Sequence, residues 1–143
     1  MIPTRYIPKR ELRKSPGNEV GLGVHLILEL YDCDPKVLLK ASTVEQVLIE
    51  AARAADLQIL RVESQQFEPH GATSMVVIGE SHLAIHTWPE FRFAAADIFI
   101  CGKNPFRAAD ALIEALKPKG VEILEVTRGS AISSPKGSSR TSG

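Results

Sequence analysis

Hydrophobic and polar residues alternate along much of this chain. From Val24 to Tyr31, Leu26, Leu28 and Leu30 fall on one side while His25, Ile27, Glu29 and Tyr31 fall on the other, the period of a half-buried strand. Residues 32–40 predict a turn and a short connector, punctuated by Pro35. The period then lengthens. Ser42-Thr43-Val44-Glu45 has the form of a capping box and predicts a helix start near Ser42. Val44, Val47, Leu48, Ala51, Ala52 and Ala55 follow as one uninterrupted apolar stripe, which suits core packing. Gln58 to Phe67 predicts a second strand, with Ile59, Leu60 and Val62, and Glu68-Pro69-His70-Gly71 a turn. Thr73 to Ile78 is almost continuously apolar and predicts a buried central strand. Leu83 to Thr87 and Phe93 to Cys101 alternate again. Asn104 is placed to cap a second helix with Pro105 at its first position, where a missing amide costs nothing. Phe106, Ala109, Leu112, Ile113 and Leu116 form that helix's stripe, Pro118 and Gly120 stop it, and Val121 to Val126 predicts a last strand.

The order strand, helix, four strands, helix, strand contains two strand–helix–strand units around a central pair, a weak internal duplication. Two amphipathic helices each need one apolar surface, and one face of a sheet supplies it. The expected fold is α/β of the α+β kind, a two-layer sandwich with a largely antiparallel sheet and two helices packed on one face. The sheet's other face is left for a functional site and a partner subunit.

Composition narrows this little. The 143 residues are 44% hydrophobic with zero formal net charge, which suits one soluble domain and gives no general case for nucleic-acid or membrane binding. Cys33 and Cys101 are too few for a disulfide framework and point to a reducing compartment. No apolar run reaches membrane-spanning length and no signal segment follows the charged N-terminus. A soluble, cytoplasmic protein is expected. Residues 1–20 hold five basic residues against two acidic ones and three prolines, read as a mobile basic arm, a solvated tail rather than an RNA contact. Residues 129–143, rich in Ser and Gly, read as a disordered tail. The folded domain is expected over 21–128.

Chemistry concentrates between residues 79 and 90, where Glu80, Ser81, His82, His86, Trp88 and Glu90 crowd together. On a strand His82, Ala84, His86 and Trp88 share one face, and Leu83, Ile85 and Thr87 the other. A zinc pair at His82 and His86 is disfavoured, because four strand residues separate them by about 13 Å. A serine hydrolase is disfavoured too: no glycine follows Ser81 to make the G-x-S-x-G elbow.

The run Glu80-Ser81-His82-Leu83, followed by Ile85-His86-Thr87-Trp88-Pro89-Glu90, resembles the self-cleavage segment of the prokaryotic S-adenosylmethionine decarboxylase proenzymes. The resemblance extends from about Gly21 to Gly129. It takes in His25-Leu26 with Glu29, Phe67 with Gly71, and Asp97 with Cys101-Gly102. It implies the same two-layer fold and a pyruvoyl enzyme.

Amino-acid decarboxylation needs an electron sink for the carbanion left behind. No phosphate loop or strand-end lysine for pyridoxal phosphate is recognisable here, and a pyruvoyl group made from the chain meets the same need. By resemblance, Ser81 is the pyruvoyl precursor, its hydroxyl attacking the Glu80 carbonyl so that the chain parts into residues 1–80 and 81–143. His86 would handle the proton transfers of processing. Thr73, standing where most relatives have serine, would support it by a hydrogen bond. Cys101 would return a proton to the substrate after decarboxylation. Phe67 would stack on adenine, Glu90 would grip the ribose, and Trp88 would wall the pocket. The resemblance further implies S-adenosylmethionine as substrate, a product that feeds spermidine synthesis, a dimer of cleaved pairs with sites near the subunit interface, and no metal. His25 and Glu29 match family positions without an assigned role. Two other readings stand beside this one: a pyruvoyl-dependent arginine or ornithine decarboxylase, and an uncut, non-catalytic binding protein.

Overall fold

A computed structural model describes residues 21–132. The basic arm of residues 1–20, and most of the C-terminal tail, lie outside the described residues. Six strands, β1 (Gly23–Tyr31), β2 (Ile59–Gln66), β3 (Ala72–Ile78), β4 (Ser81–Trp88), β5 (Phe93–Ile100) and β6 (Gly120–Arg128), build one sheet. Their order is β2-β3-β4-β5-β1-β6, and every neighbouring pair is antiparallel. Helices α1 (Pro35–Leu38), α2 (Ala41–Ala54) and α3 (Phe106–Leu116) complete the fold. The expected two-layer α+β sandwich is the observed one.

The core lies between sheet and helices. Leu26, Leu28 and Leu30 of β1, Leu83 and Ile85 of β4, and Ile98 and Ile100 of β5 are fully buried. They meet Val44, Leu48, Ala51 and Ala52 of α2 and Ala108, Ala109, Leu112 and Leu116 of α3. Each buried leucine or isoleucine contributes about 1.5–3 kcal/mol. The alanines let the two helices approach closely over the sheet. Among the described residues no helix is long and apolar enough to cross a membrane.

Four expectations need correction. The Ser42 capping box does not form: α2 begins at Ala41 after Lys40, whose side chain caps nothing, and Glu45 instead accepts from Ser64 of β2. The first amide of α2 is taken by a side chain from β2, so the box was unnecessary. Residues 32–40 are not a plain connector, because Asp34 caps the short α1 by accepting from the Lys36 amide. Asn104 Oδ1 accepts from the Phe106 amide at 2.9 Å, but the cap position of α3 is Pro105, which has no side-chain bond to offer and precedes the helix instead of opening it.

Finally, β3 is not buried on both sides. Its burial alternates, with Met75 and Val77 41% and 40% exposed. Helices cover one sheet face alone, and the other face is open. An apolar run cannot reveal that, since it reads the same whether its second face meets a helix or a partner.

Candidate active site

Cross-strand register sets out the open face in rows. Val77, His82, Phe99, His25 and Val126 lie abreast, followed by Met75, Ala84, Asp97, Ile27 and Leu124. Next come Thr73, His86, Ala95, Glu29 and Glu122, and Trp88 beside Phe93 closes the series. The four-residue histidine spacing therefore puts His82 and His86 on one face but two rows apart.

Ser81, Glu80 and Cys101 gather at the first end. Gly79-Glu80 is the two-residue link between β3 and β4, with Ile78 paired to Ser81 across it. Glu80 has φ +82°, the left-handed value that the second central residue of a type II turn demands and that glycine normally supplies. A glutamate held there stores about 1–3 kcal/mol of backbone strain next to the Glu80–Ser81 peptide. The Cys101 thiol, just past β5, lies 3.8 Å from the Glu80 carbonyl oxygen and points its donor at it. Gly23 makes room for that sulfur: a Cβ there would stand 2.9 Å from Cys101 Sγ, from Phe99 Cε1 and from the Ile100 carbonyl oxygen.

Beside this corner His25 is held on both nitrogens. Its Nε2 lies 3.0 Å from Asp97 Oδ1 and its Nδ1 3.2 Å from Arg128 Nη1. A carboxylate can only accept and a guanidinium can only donate, so the ring proton sits on Nε2. The His25 ring stacks on Phe99 with centroids 5.5 Å apart, and the Arg128 guanidinium lies 5.0 Å from the same ring. Motif resemblance leaves His25 without a role; these bonds fix its ring against Phe99 on the open face.

Thr73, His86, Trp88, Phe67 and Glu90 gather at the other end. Thr73 Oγ1 and His86 Nδ1 are 2.8 Å apart, directly opposite in register. Together with Phe67, Trp88, Glu90, Glu68, Pro69, His70, Ala72 and Thr87 they line a cleft of about 550 Å³. Glu90 enters from a single 3-10 turn, Pro89–Phe91, with its carboxylate 3.6 Å from His70 Nε2. Glutamate, proline and glycine around His70 predict only a turn, which conceals that it lines the cleft. Trp88 is 40% exposed and tilted against Phe93 at 5.6 Å, and Phe67 is also exposed. Phe67 is thus free to stack on a ligand instead of serving the core.

The structure does not bring Ser81 to His86 within one chain. Five residues of strand separate them by about 16 Å. The cluster splits into two groups, a corner at Ser81 and a cleft at His86, at opposite ends of β4.

The two cysteines differ as their surroundings do. Cys33 is buried and its thiol is pushed up to about 12 by burial and then by Asp32, against a lowering backbone hydrogen bond. It is inert, whereas Cys101 is partly accessible. In the middle of the open face Glu29 is pushed upward by burial, then by the charges of Glu122 and Asp97. Tyr31 is pushed up to about 12, chiefly by its hydrogen bond to Glu122. Among the described residues no set of three or more His, Cys, Asp or Glu side chains is arranged to hold a metal.

Known proteins fit this arrangement. The S-adenosylmethionine decarboxylase family profile matches residues 24–129. The S-adenosylmethionine decarboxylase proenzyme of Thermodesulfovibrio yellowstonii is 46% identical over 111 residues, 76% of this chain and 82% of that protein. The proenzyme of Methanococcus aeolicus is 42% identical over 113 residues, 78% of this chain and 97% of that one. The crystal structure of the adenosylmethionine decarboxylase from Aquifex aeolicus superposes with a TM-score of 0.74 at 35% identity, covering 77% of this chain and 92% of that one. Sequence and fold agree over most of the chain, and the chain belongs to the S-adenosylmethionine decarboxylase family.

Proposed function

We propose that this protein is a pyruvoyl-dependent S-adenosylmethionine decarboxylase that makes its prosthetic group by cutting itself between Glu80 and Ser81. The observation that carries the reading is the corner itself: a left-handed Glu80 immediately before a serine, with a thiol 3.8 Å from the carbonyl to be attacked. Attack by Ser81 Oγ on the Glu80 carbonyl carbon displaces the peptide nitrogen and leaves an ester. Strain in the turn is released as the peptide breaks, and the Cys101 thiol can donate to the oxygen that gathers charge. β-Elimination then expels the Glu80 carboxylate and leaves dehydroalanine at position 81. Water converts it to a pyruvoyl group and releases ammonia. No other reagent is consumed.

The corner fits that group, being small, aromatic-walled and served by one thiol donor. When formed, the pyruvoyl supplies a ketone to hold the substrate amine and an amide carbonyl to draw off the electron pair left by departing carbon dioxide. Cys101 then returns the proton to the substrate's α-carbon. Phe67 and Trp88 offer aromatic faces to the adenine, and the Glu90 carboxylate two acceptors to the ribose hydroxyls. The product serves as an aminopropyl donor for spermidine synthesis in the cytoplasm.

Because His86 is about 16 Å from Ser81 along its own strand, the two cooperate across a dimer. The open face, with Met75, Val77, Trp88 and Leu124 exposed, is the surface for it. A two-fold axis near Ala84 sets the Ser81 corner of one chain over the His86 cleft of the other. The active form is then a dimer of cleaved pairs with sites shared between subunits.

Intact mass tests the core of this. The 15.6 kDa chain should appear as residues 1–80 and a pyruvoyl-blocked 81–143, whereas Ser81→Ala stays whole and inactive. Carbon dioxide should be released from S-adenosylmethionine and not from arginine or ornithine. Persistent turnover by the alanine variant, or turnover of a basic amino acid alone, would sink the reading.

A further inference from the structure

The loop Phe67–Gly71 forms one wall of the cleft, and Glu68, Pro69 and His70 also line a second depression of about 610 Å³ on its far side, with Leu39, Lys40, Ser42 and Gln66. Phe67, Glu68 and Pro69 are exposed. Hollowed on both sides, this wall gets little of its position from side-chain packing. Polar bonds hold it. The Phe67 amide donates to the Gly71 carbonyl at 2.8 Å, and the Gly71 amide to the Leu39 carbonyl at 2.9 Å.

A single carboxamide gathers the rest. Gln66 Nε2 lies 3.0 Å from the Leu39 carbonyl oxygen, 3.1 Å from that of Phe67 and 2.9 Å from that of Gly71. Its Oε1 accepts from the Ala41 amide at 2.6 Å, the first amide of α2, which Lys40 leaves without a side-chain cap. Two N–H bonds shared among three carbonyls, and one acceptor for a helix end, use nearly everything an amide side chain can offer. The connector before α2, the start of α2 and both ends of the loop thereby meet at one residue.

We propose that Gln66 is the positioning residue of the nucleoside cleft, holding the loop so that Phe67 and His70 face the adenosyl group. The inference rests on reading the cleft as the adenosyl site and adds what fixes its wall. Gln66 itself lines the depression behind the wall, touches no reacting atom and lies far from Ser81. Its loss should weaken nucleoside binding without slowing self-cleavage.

Two variants test it. Gln66→Glu keeps the length and the acceptor for the Ala41 amide but sets a carboxylate against three carbonyl oxygens. Gln66→Met keeps the bulk and removes every bond. For both, intact mass should show complete cleavage and kcat should stay within about twofold, while KM for S-adenosylmethionine rises about tenfold, the worth of one net hydrogen bond. The fluorescence of Trp88, the sole tryptophan, lies in the same cleft and reports binding of 5′-methylthioadenosine. Its Kd should rise by the same factor, and hydrogen exchange at the Phe67 and Gly71 amides should quicken. Wild-type KM and Kd in both variants would overturn the inference and leave the proposed activity standing. Slowed cleavage with protection lost throughout the sheet would make Gln66 merely structural and overturn it as well. A wild-type protein blind to methylthioadenosine would remove the adenosyl reading of the cleft and this inference with it.

Discussion

The two ends of β4 differ in nearly every physical respect. At Ser81 the backbone is strained, space is short and the nearest functional group is a thiol on a carbonyl. At Trp88 the backbone runs into a one-turn helix, space is ample and the walls are aromatic rings and a carboxylate. Under the proposed function one end breaks a bond and the other holds a molecule. Their separation by a whole strand is what the proposed dimer answers, with each subunit supplying half of two sites.

The most severe test of that division is complementation. Co-expressed Ser81→Ala and His86→Ala chains should form mixed dimers in which the His86→Ala chain is cut, although neither variant is cut alone. Mass spectrometry of the mixture reads this directly. If the His86→Ala chain stays whole beside its partner, the shared-site arrangement is wrong.

Smaller effects should follow within each half. Glu80→Gly relieves the left-handed strain, so the uncut precursor should gain about 1 kcal/mol in denaturant unfolding. Its self-cleavage should slow about tenfold if strain drives the step. Unchanged kinetics would show that strain is incidental. Thr73→Val removes the 2.8 Å bond to His86 and should slow cleavage severalfold, by the worth of one hydrogen bond. Thr73→Ser should restore the rate, and equal rates for valine and serine would remove Thr73 from processing.

The smallest effect belongs to the middle of the face, between the halves. Glu29 and Glu122 are directly opposed across β1 and β6, and like charges so placed oppose each other. Because the folded Glu29 carboxyl is raised above its ordinary value of 4.5, its contribution is most favourable below that pH and is lost as pH rises through the folded value. Glu29→Gln should therefore stabilise the protein by a few tenths of a kcal/mol at neutral pH, since the group is partly solvated. The gain should vanish near pH 4. A pH-independent difference in unfolding midpoint would deny the charge any part in it.

Much of this was legible in the residues. Period-two alternation in β1, β4 and β5 and the stripes of α2 and α3 assign faces that the structure reproduces, because burial on one side is what writes such patterns. The roles proposed for Ser81, Cys101 and Glu90 rest on motif resemblance. Other features left no pattern. Gln66 looks like any polar residue at a strand end, since its bonds run to groups as many as 27 positions away. Glu80 carries no mark of a left-handed backbone. One separation is legible in the sequence: the strand spacing that argues against zinc at His82 and His86 also parts Ser81 from His86.

Gly23 carries a last consequence. The absence of a side chain there is what leaves the sulfur room beside the Glu80 carbonyl. A methyl placed there would press at once on the sulfur, the Phe99 ring and the Ile100 carbonyl, so the thiol could move only together with the β1–β5 edge that carries it.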